Sequence, residues 1–301
     1  MRFVAALLLA AALLPAAAFD LQGHRGARGL LPENTIVSFQ RALQAGADTL
    51  ELDVMLTADG VPVVSHDPAL HPDLTRDAAG RRLDGTGPLI RTLTLAQLQA
   101  YDVGRARPGG KTARDFPQQQ AADGQRIPTL KAVLALGGPA TRFNIEIKLD
   151  PRVPEQFAPL AAVVDAVVRD VAEAGVGARV LIQSFNWQVL QRAQQVAPQL
   201  HTSYLSIQRP NANTVASPAW MAGFSLAAQG SVPRMVKAAG GRWWSPHFRD
   251  VTAEAVREAQ ALGLKVAVWT VNDAADMRQM LALGVDALIT DYPDRAQALR
   301  R

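Results

Sequence analysis

The chain is 301 residues long, 49% hydrophobic and 19% charged, with a formal net charge of +4. It contains no cysteine, which excludes a disulfide framework, cysteine-held zinc or iron–sulfur clusters and a thiol nucleophile. Arginine outnumbers lysine 26 to 5, but so small a net charge, spread along the chain, does not describe a nucleic-acid binder.

Met1-Arg2, an apolar run from Phe3 to Leu14 and Pro15-Ala16-Ala17-Ala18 have the pattern of a secretory signal. The apolar stretch is shorter than the ~20 residues a spanning helix needs and has a proline inside it. The expectation is a signal peptide over 1–18 cleaved after Ala18, one domain over 19–301, no stable membrane insertion, and a periplasmic or secreted protein.

Short β-rich runs then alternate with helical ones. Asp20–Gly23, Thr49–Leu56, Val61–His66, Arg142–Lys148, Val180–Phe185, His201–Leu205, Arg242–Pro246 and Lys265–Val271 read as strands, with Ala287–Thr290 as a short addition. Several are almost wholly apolar, as strands buried on both faces are. Helices are predicted over Thr35–Ala45, Pro154–Ala174, Asn186–Val196 and Ala253–Leu262. About eight strands joined by helices favour an α/β fold, a (β/α)8 TIM barrel, over an open doubly wound sheet.

Two stretches break the alternation. Thr57-Ala58-Asp59-Gly60 leaves no space for a helix and reads as a tight turn, bringing residues near Ser65 to Asp67 back opposite Glu51 and Asp53. The segment of about 68–128 is rich in Gly, Pro, Arg and Gln, with one helix candidate, Thr94–Tyr101; a stretch this long is usually functional or a small subdomain.

Glu51 and Asp53 share one face of an apolar strand, and Glu146 and Lys148 share a face of another. Buried neighbouring carboxylates need a cation or a proton between them. Three of them without cysteine suit one hard ion, Ca²⁺ or Mg²⁺; Lys148 and arginines neutralising them as structural ion pairs is the competing reading. His24 ends the first strand and His66 ends the third, at the barrel end where active sites lie, so both suit proton transfer. Arg25 offers a planar fork and Lys148 a point charge for an anion. Asn34 falls where a helix begins and is read as its cap; Asp291, after the last short strand, as orienting a neighbour; Trp243-Trp244 as packing; His247 as a rim residue; His71 and His201 as solvent or packing residues.

These residues sit in His24-Arg25-Gly26, Leu31-Pro32-Glu33-Asn34-Thr35, Glu51-Leu52-Asp53, His66-Asp67, Ile127-Pro128-Thr129-Leu130, Ile145-Glu146-Ile147-Lys148, Gln183-Ser184-Phe185, Val268-Trp269-Thr270-Val271-Asn272 and Ile289-Thr290-Asp291. In that order they resemble the glycerophosphodiester phosphodiesterases over nearly the whole chain after the leader. Lys131, where many relatives carry an acid, is a departure outside the site. The resemblance implies an irregular TIM barrel with a small insertion after the third strand. It implies one divalent ion on Glu51, Asp53 and Glu146, His24 and His66 as the acid–base pair, and Arg25 and Lys148 on the phosphate. Phe185 and Trp269 become the apolar wall against glycerol. The implied reaction releases sn-glycerol 3-phosphate and an alcohol from a small glycerophosphodiester through a cyclic phosphate, with His66 leaned towards as first base. A phosphodiesterase acting on intact lipids and a phosphodiester-binding protein without turnover are the rival expectations.

Overall fold

Strands that are apolar on both faces must be covered on both, and here amphipathic helices alternate with them, which lets a parallel sheet close on itself. The computed structural model describes residues 19–300. The predicted signal segment 1–18 lies outside the described residues, as does Arg301.

Among the described residues, eight parallel strands form the barrel. They are β1 Asp20–Gly23, β2 Thr49–Leu56, β3 Arg142–Ile147, β4 Val180–Ser184, β5 His201–Ser206, β6 Trp243–Pro246, β7 Lys265–Val268 and β8 Ala287–Thr290. Each pairs with the next, and β1 closes the ring by pairing Gly23 with Thr290 of β8 and with Leu50 of β2. All eight positions of β2 are buried, Glu51 and Asp53 among them. A helix follows each strand: α1 Ile36–Gln44, α2 Leu130–Leu134, α3 Leu160–Glu173, α4 Trp187–Val196, α5 Val232–Ala238, α6 Ala253–Ala261, α7 Ala274–Ala282 and α8 Pro293–Gln297.

Local chemistry fixes the boundaries. Thr35 caps α1, its hydroxyl accepting from the Ser38 amide at 3.3 Å, and Phe39 and Ala42 form the buried stripe. The helix expected from Pro154 starts later, at Leu160: residues Pro154–Gln156 make a separate 3-10 turn, and Pro159 has no place in a helix interior. The strand expected over Lys265–Val271 ends at Val268, where Trp269 turns onto the rim and donates its indole N–H to the Ser245 carbonyl at 2.9 Å.

The turn Thr57–Gly60 returns the chain as Pro62–Val64, antiparallel to β2 with Val54 against Val64. The Ser65 amide donates to the Asp53 carbonyl at 3.0 Å, so Asp53 does face Ser65. Glu51 lies beyond that pairing, beside Asn144 of β3.

The long segment after this return strand carries its own apolar cluster, in which Leu70, Ile90, Leu98 and Ile127 pack on Met55 and Val63. It holds two short helices, Leu95–Leu98 behind a Thr94 capping box, and Lys111–Asp115. A strap then crosses to the barrel rim. Gln119 donates to the Arg28 carbonyl at 2.7 Å, the Gln120 amide to the Leu30 carbonyl at 2.8 Å, and Phe116 packs on Tyr292. Among the described residues, no helix is long and apolar enough to cross a membrane.

Candidate active site

Period-two alternation points Glu51 and Asp53 the same way from β2, and the pairing of β2 with β3 sets Glu146 level with Asp53. One oxygen from each of the three carboxylates lies within 4.8 Å of the others, and all three residues are buried. Each is held by neighbours. Gln183 donates to Glu51 Oε1 at 2.8 Å, and Asn144 donates in turn to Gln183 at 3.1 Å and to Gln22 at 2.8 Å. Asn34 donates to Asp53 Oδ2 at 2.9 Å, and Arg25 Nε stands 3.1 Å from the same oxygen. Lys148 Nζ is 2.7 Å from Glu146 and 3.7 Å from Asp53.

Charge is not balanced by the protein alone. Glu33 takes the guanidinium of Arg28 and shares that of Arg25 at 2.7 Å, so four buried acids stand against Arg25, Arg28 and Lys148. Burial, then Asp53 and Glu146, push the Glu51 carboxyl well up. Burial also pushes up Glu146, against the opposing pull of Lys148. Burial works against ionised Asp53 too, but Arg25, His66 and Lys148 outweigh it and hold its carboxyl far below the usual range. Glu51 and Glu146 are therefore harder to ionise than free carboxylates. An all-oxygen donor set short of positive charge is what a hard divalent ion fits.

The loop after β1 is built tightly around this cluster. Arg25 has a φ of 51° and Asn34 a φ of 55°, the left-handed region that side chains seldom enter. The two are joined: the Asn34 amide donates to the Arg25 carbonyl at 3.0 Å. Asn34 is therefore not the helix cap expected from sequence; Thr35 has that job, and Asn34 is spent on Asp53.

His24 and His66 flank the cluster, each with a carboxylate on Nδ1. His24 meets Asp291 at 2.6 Å and His66 meets Asp67 at 2.8 Å. Burial lowers the His24 pKa despite Asp291. Burial, then Arg25 and Lys148, lower that of His66 to about 4. Both imidazoles therefore give up a proton more readily than a free one, and His66 is neutral at pH 7 and able to accept.

Phe185 and Trp269 stand edge to face at 5.3 Å on the same rim, with Lys148 Nζ 5.9 Å above the Phe185 ring. Trp220 extends this surface on the Phe185 side at 6.3 Å, and His247 on the Trp269 side at 5.2 Å. The nine predicted site residues thus gather at the carboxyl ends of the strands. A cavity of about 860 Å³ opens at the other end, between Asp20, Arg142, His201 and Trp243, and none of the nine lines it. His71 accepts from the Asp73 amide at 3.0 Å, His201 is exposed, and Trp244 is buried.

Sequence reasoning missed the supports. Gln22, Asn144 and Gln183 were visible as polar residues in apolar strands, each requiring a buried partner. Glu33 and Asp67 lie in motifs that carry the resemblance, but in loops, where no strand pattern shows what they hold.

The glycerophosphoryl diester phosphodiesterase family matches residues 24–295 of the chain. A glycerophosphodiester phosphodiesterase of Caldanaerobacter subterraneus subsp. tengcongensis is 31% identical over 279 residues, covering 90% of this chain and 93% of that protein. A crystal structure from Silicibacter pomeroyi, named for the same family, superposes with a TM-score of 0.84 at 39% identity, over 94% of this chain and 92% of that one. An Oleispira antarctica phosphodiesterase, solved with the product sn-glycerol-3-phosphate, is 25% identical with a TM-score of 0.69, over 93% of this chain and 96% of that one.

Proposed function

The chain belongs to the glycerophosphoryl diester phosphodiesterase family, and on that premise we propose that it hydrolyses small glycerophosphodiesters to sn-glycerol 3-phosphate and an alcohol with the help of one divalent ion. The observation that carries the reading is the trio of buried carboxylates, Glu51, Asp53 and Glu146, flanked by two histidines.

Glu51, Asp53 and Glu146 would hold the ion, Ca²⁺ or Mg²⁺, which when bound supplies positive charge for the phosphoryl oxygens. Arg25 and Lys148 add charge that acts most strongly where negative charge grows in the transition state. Arg25 is held in place for this by Glu33 and Asp53. Phe185 and Trp269 form a wall for the carbon face of glycerol and exclude water there.

Proton transfer falls to the two imidazoles. His66, neutral through its low pKa, takes the proton from the glycerol hydroxyl next to the phosphate, whose oxygen then attacks phosphorus. His24, which enters this step as the imidazolium with its Nδ1–H held by Asp291, gives its Nε2 proton to the departing alcohol oxygen. Holding nucleophile and phosphorus in one molecule removes much of the entropic barrier. Water then opens the cyclic phosphate with the two roles exchanged, restoring both protons.

The test is release of glycerol 3-phosphate from glycerophosphocholine by purified residues 19–301, coupled to glycerol-3-phosphate dehydrogenase, with Ca²⁺, Mg²⁺ or chelator. Metal-dependent release is expected. Undiminished release in excess chelator overturns the metal, and no release from folded protein overturns the substrate class.

On the leader pattern we further propose that the protein is exported. Exported protein beginning at Phe19 is expected; exported protein beginning at Met1 rejects cleavage.

A further inference from the structure

We propose that Asp291 and Asn272 are positioning residues for His24, fixing the tautomer in which Nδ1 carries the proton and Nε2 faces the reaction. The proposal rests on the reading of His24 as an acid or base given above. Three consecutive strand ends supply the set. Asn272 follows β7, Asp291 follows β8 and His24 follows β1, and the β8–β1 register is locked by the His24 amide donating to the Thr290 carbonyl at 2.9 Å.

The orientation of each group is determined by its neighbours. The Asp291 amide donates to Asn272 Oδ1 at 2.9 Å and the Thr290 hydroxyl to the same oxygen at 3.2 Å, so that atom is the carbonyl of the side-chain amide. Asn272 Nδ2 must then donate, and it does, to Asp291 Oδ2 at 2.6 Å. The other oxygen of Asp291 is left for His24 Nδ1 at 2.6 Å. A carboxylate can only accept, so Nδ1 carries the hydrogen and the free nitrogen of neutral His24 is Nε2. The Asp291 side chain is 4% exposed, so water does not compete for this contact. His66 is held differently: its partner Asp67 is 38% exposed and has no comparable amide behind it among the hydrogen bonds of the described residues.

The same geometry predicts what Asp291→Asn does. Asn272 still offers an N–H, so the new amide must turn its oxygen towards Asn272 and its NH₂ towards His24. Nδ1 becomes an acceptor, the proton of neutral His24 moves to Nε2, and the imidazolium that donates to the leaving alcohol loses the carboxylate that stabilises it.

The test combines kinetics with nitrogen NMR of histidine-labelled protein, His24→Ala identifying the His24 signals. In the unaltered protein the Nδ1–H tautomer is expected, and in Asp291→Asn the Nε2–H tautomer. In the glycerophosphocholine assay the variant is expected to lose ~10²–10⁴-fold in kcat with KM within about threefold. Asn272→Ala, which keeps the carboxylate but frees it to turn, should lose about 10–100-fold in kcat and spare KM. An Nε2–H tautomer in the unaltered protein overturns the proposal. So does an Asp291→Asn protein with unchanged tautomer and rate, or, if that variant does not fold, an Asn272→Ala protein with unchanged kcat. Because the tautomer is read without turnover, near-normal rates in His24→Ala would overturn the catalytic reading separately from the positioning one.

Discussion

The backbone amide of Arg25 donates to Glu51 Oε2 at 2.9 Å, while the guanidinium of the same residue lies 3.1 Å from Asp53. One residue therefore addresses two of the three clustered acids, and it does so from a left-handed backbone with φ of 51°. Strain of this kind costs of order 1–3 kcal/mol and persists only where the surroundings over-determine it. Here the Asn34 amide and the Ser38 hydroxyl both donate to the Arg25 carbonyl, at 3.0 and 3.3 Å.

Arg25→Lys keeps the charge and the backbone bond but loses the fork that spans Glu33 and Asp53. A hydrogen bond to a charged partner is worth about 1.5–3 kcal/mol, so kcat/KM should fall about 10–100-fold. An unchanged kcat/KM would show that the fork has no part in turnover.

Glu51→Gln removes one anion from a site that lacks positive charge. Added Ca²⁺ or Mg²⁺ should raise the Tm of the unaltered protein, because a ligand held only by the folded state stabilises it, and should not raise that of the variant. An equal rise in both would place the ion elsewhere. The raised Glu51 pKa also sets the sign of the pH dependence. A proton competes for that carboxylate over a wider range than usual, so titration calorimetry should find weaker metal binding and more proton release as pH falls from 7 to 5.

His66→Gln should lower kcat by ~10²–10⁴-fold while leaving metal affinity in place. It should also change acid stability. The folded protein holds the His66 pKa at about 4, below its ordinary value of 6.5, so between these limits the unfolded chain binds more protons. This contribution is intact above pH 6.5 and is lost as pH falls towards 4. The Tm of the unaltered protein should therefore drop more steeply across that window than that of the variant; parallel curves would contradict the assigned shift.

Gly26→Ala tests the loop that carries Arg25. Gly26 has a φ of 87°, and a Cβ there would lie 2.6 Å from the Ser38 carbonyl carbon and 2.8 Å from the Phe39 amide nitrogen. Neither backbone atom can yield without moving α1, so a loss of more than about 1 kcal/mol is expected in denaturant unfolding. Stability equal to the unaltered protein would mean that the loop is slack.

Asn34→Ala and Thr35→Ala separate two adjacent residues by role. Thr35→Ala removes the cap of α1 and should cost ~1 kcal/mol of stability with little effect on turnover. Asn34→Ala removes a donor to Asp53 and should reduce activity and metal affinity instead. If the two exchanged these effects, the cap would belong to Asn34.

The sequence by itself determined the strands, the turn at Thr57–Gly60 and the pairing of Glu51 with Asp53 on one face. Period-two alternation and apolar runs are local, and burial on both faces leaves no other pattern for the strands of such a barrel. It also marked His24 and His66 as strand-end residues. Only the tertiary structure decided what those residues touch. Asp291 reaches His24 across the closure of the barrel, and Gln183 reaches Glu51 through the barrel interior. Asn34 turns from the helix start to Asp53 because Arg25, nine residues earlier, holds its backbone amide. Such contacts depend on register and ring closure between segments far apart in the chain, and no local period encodes them.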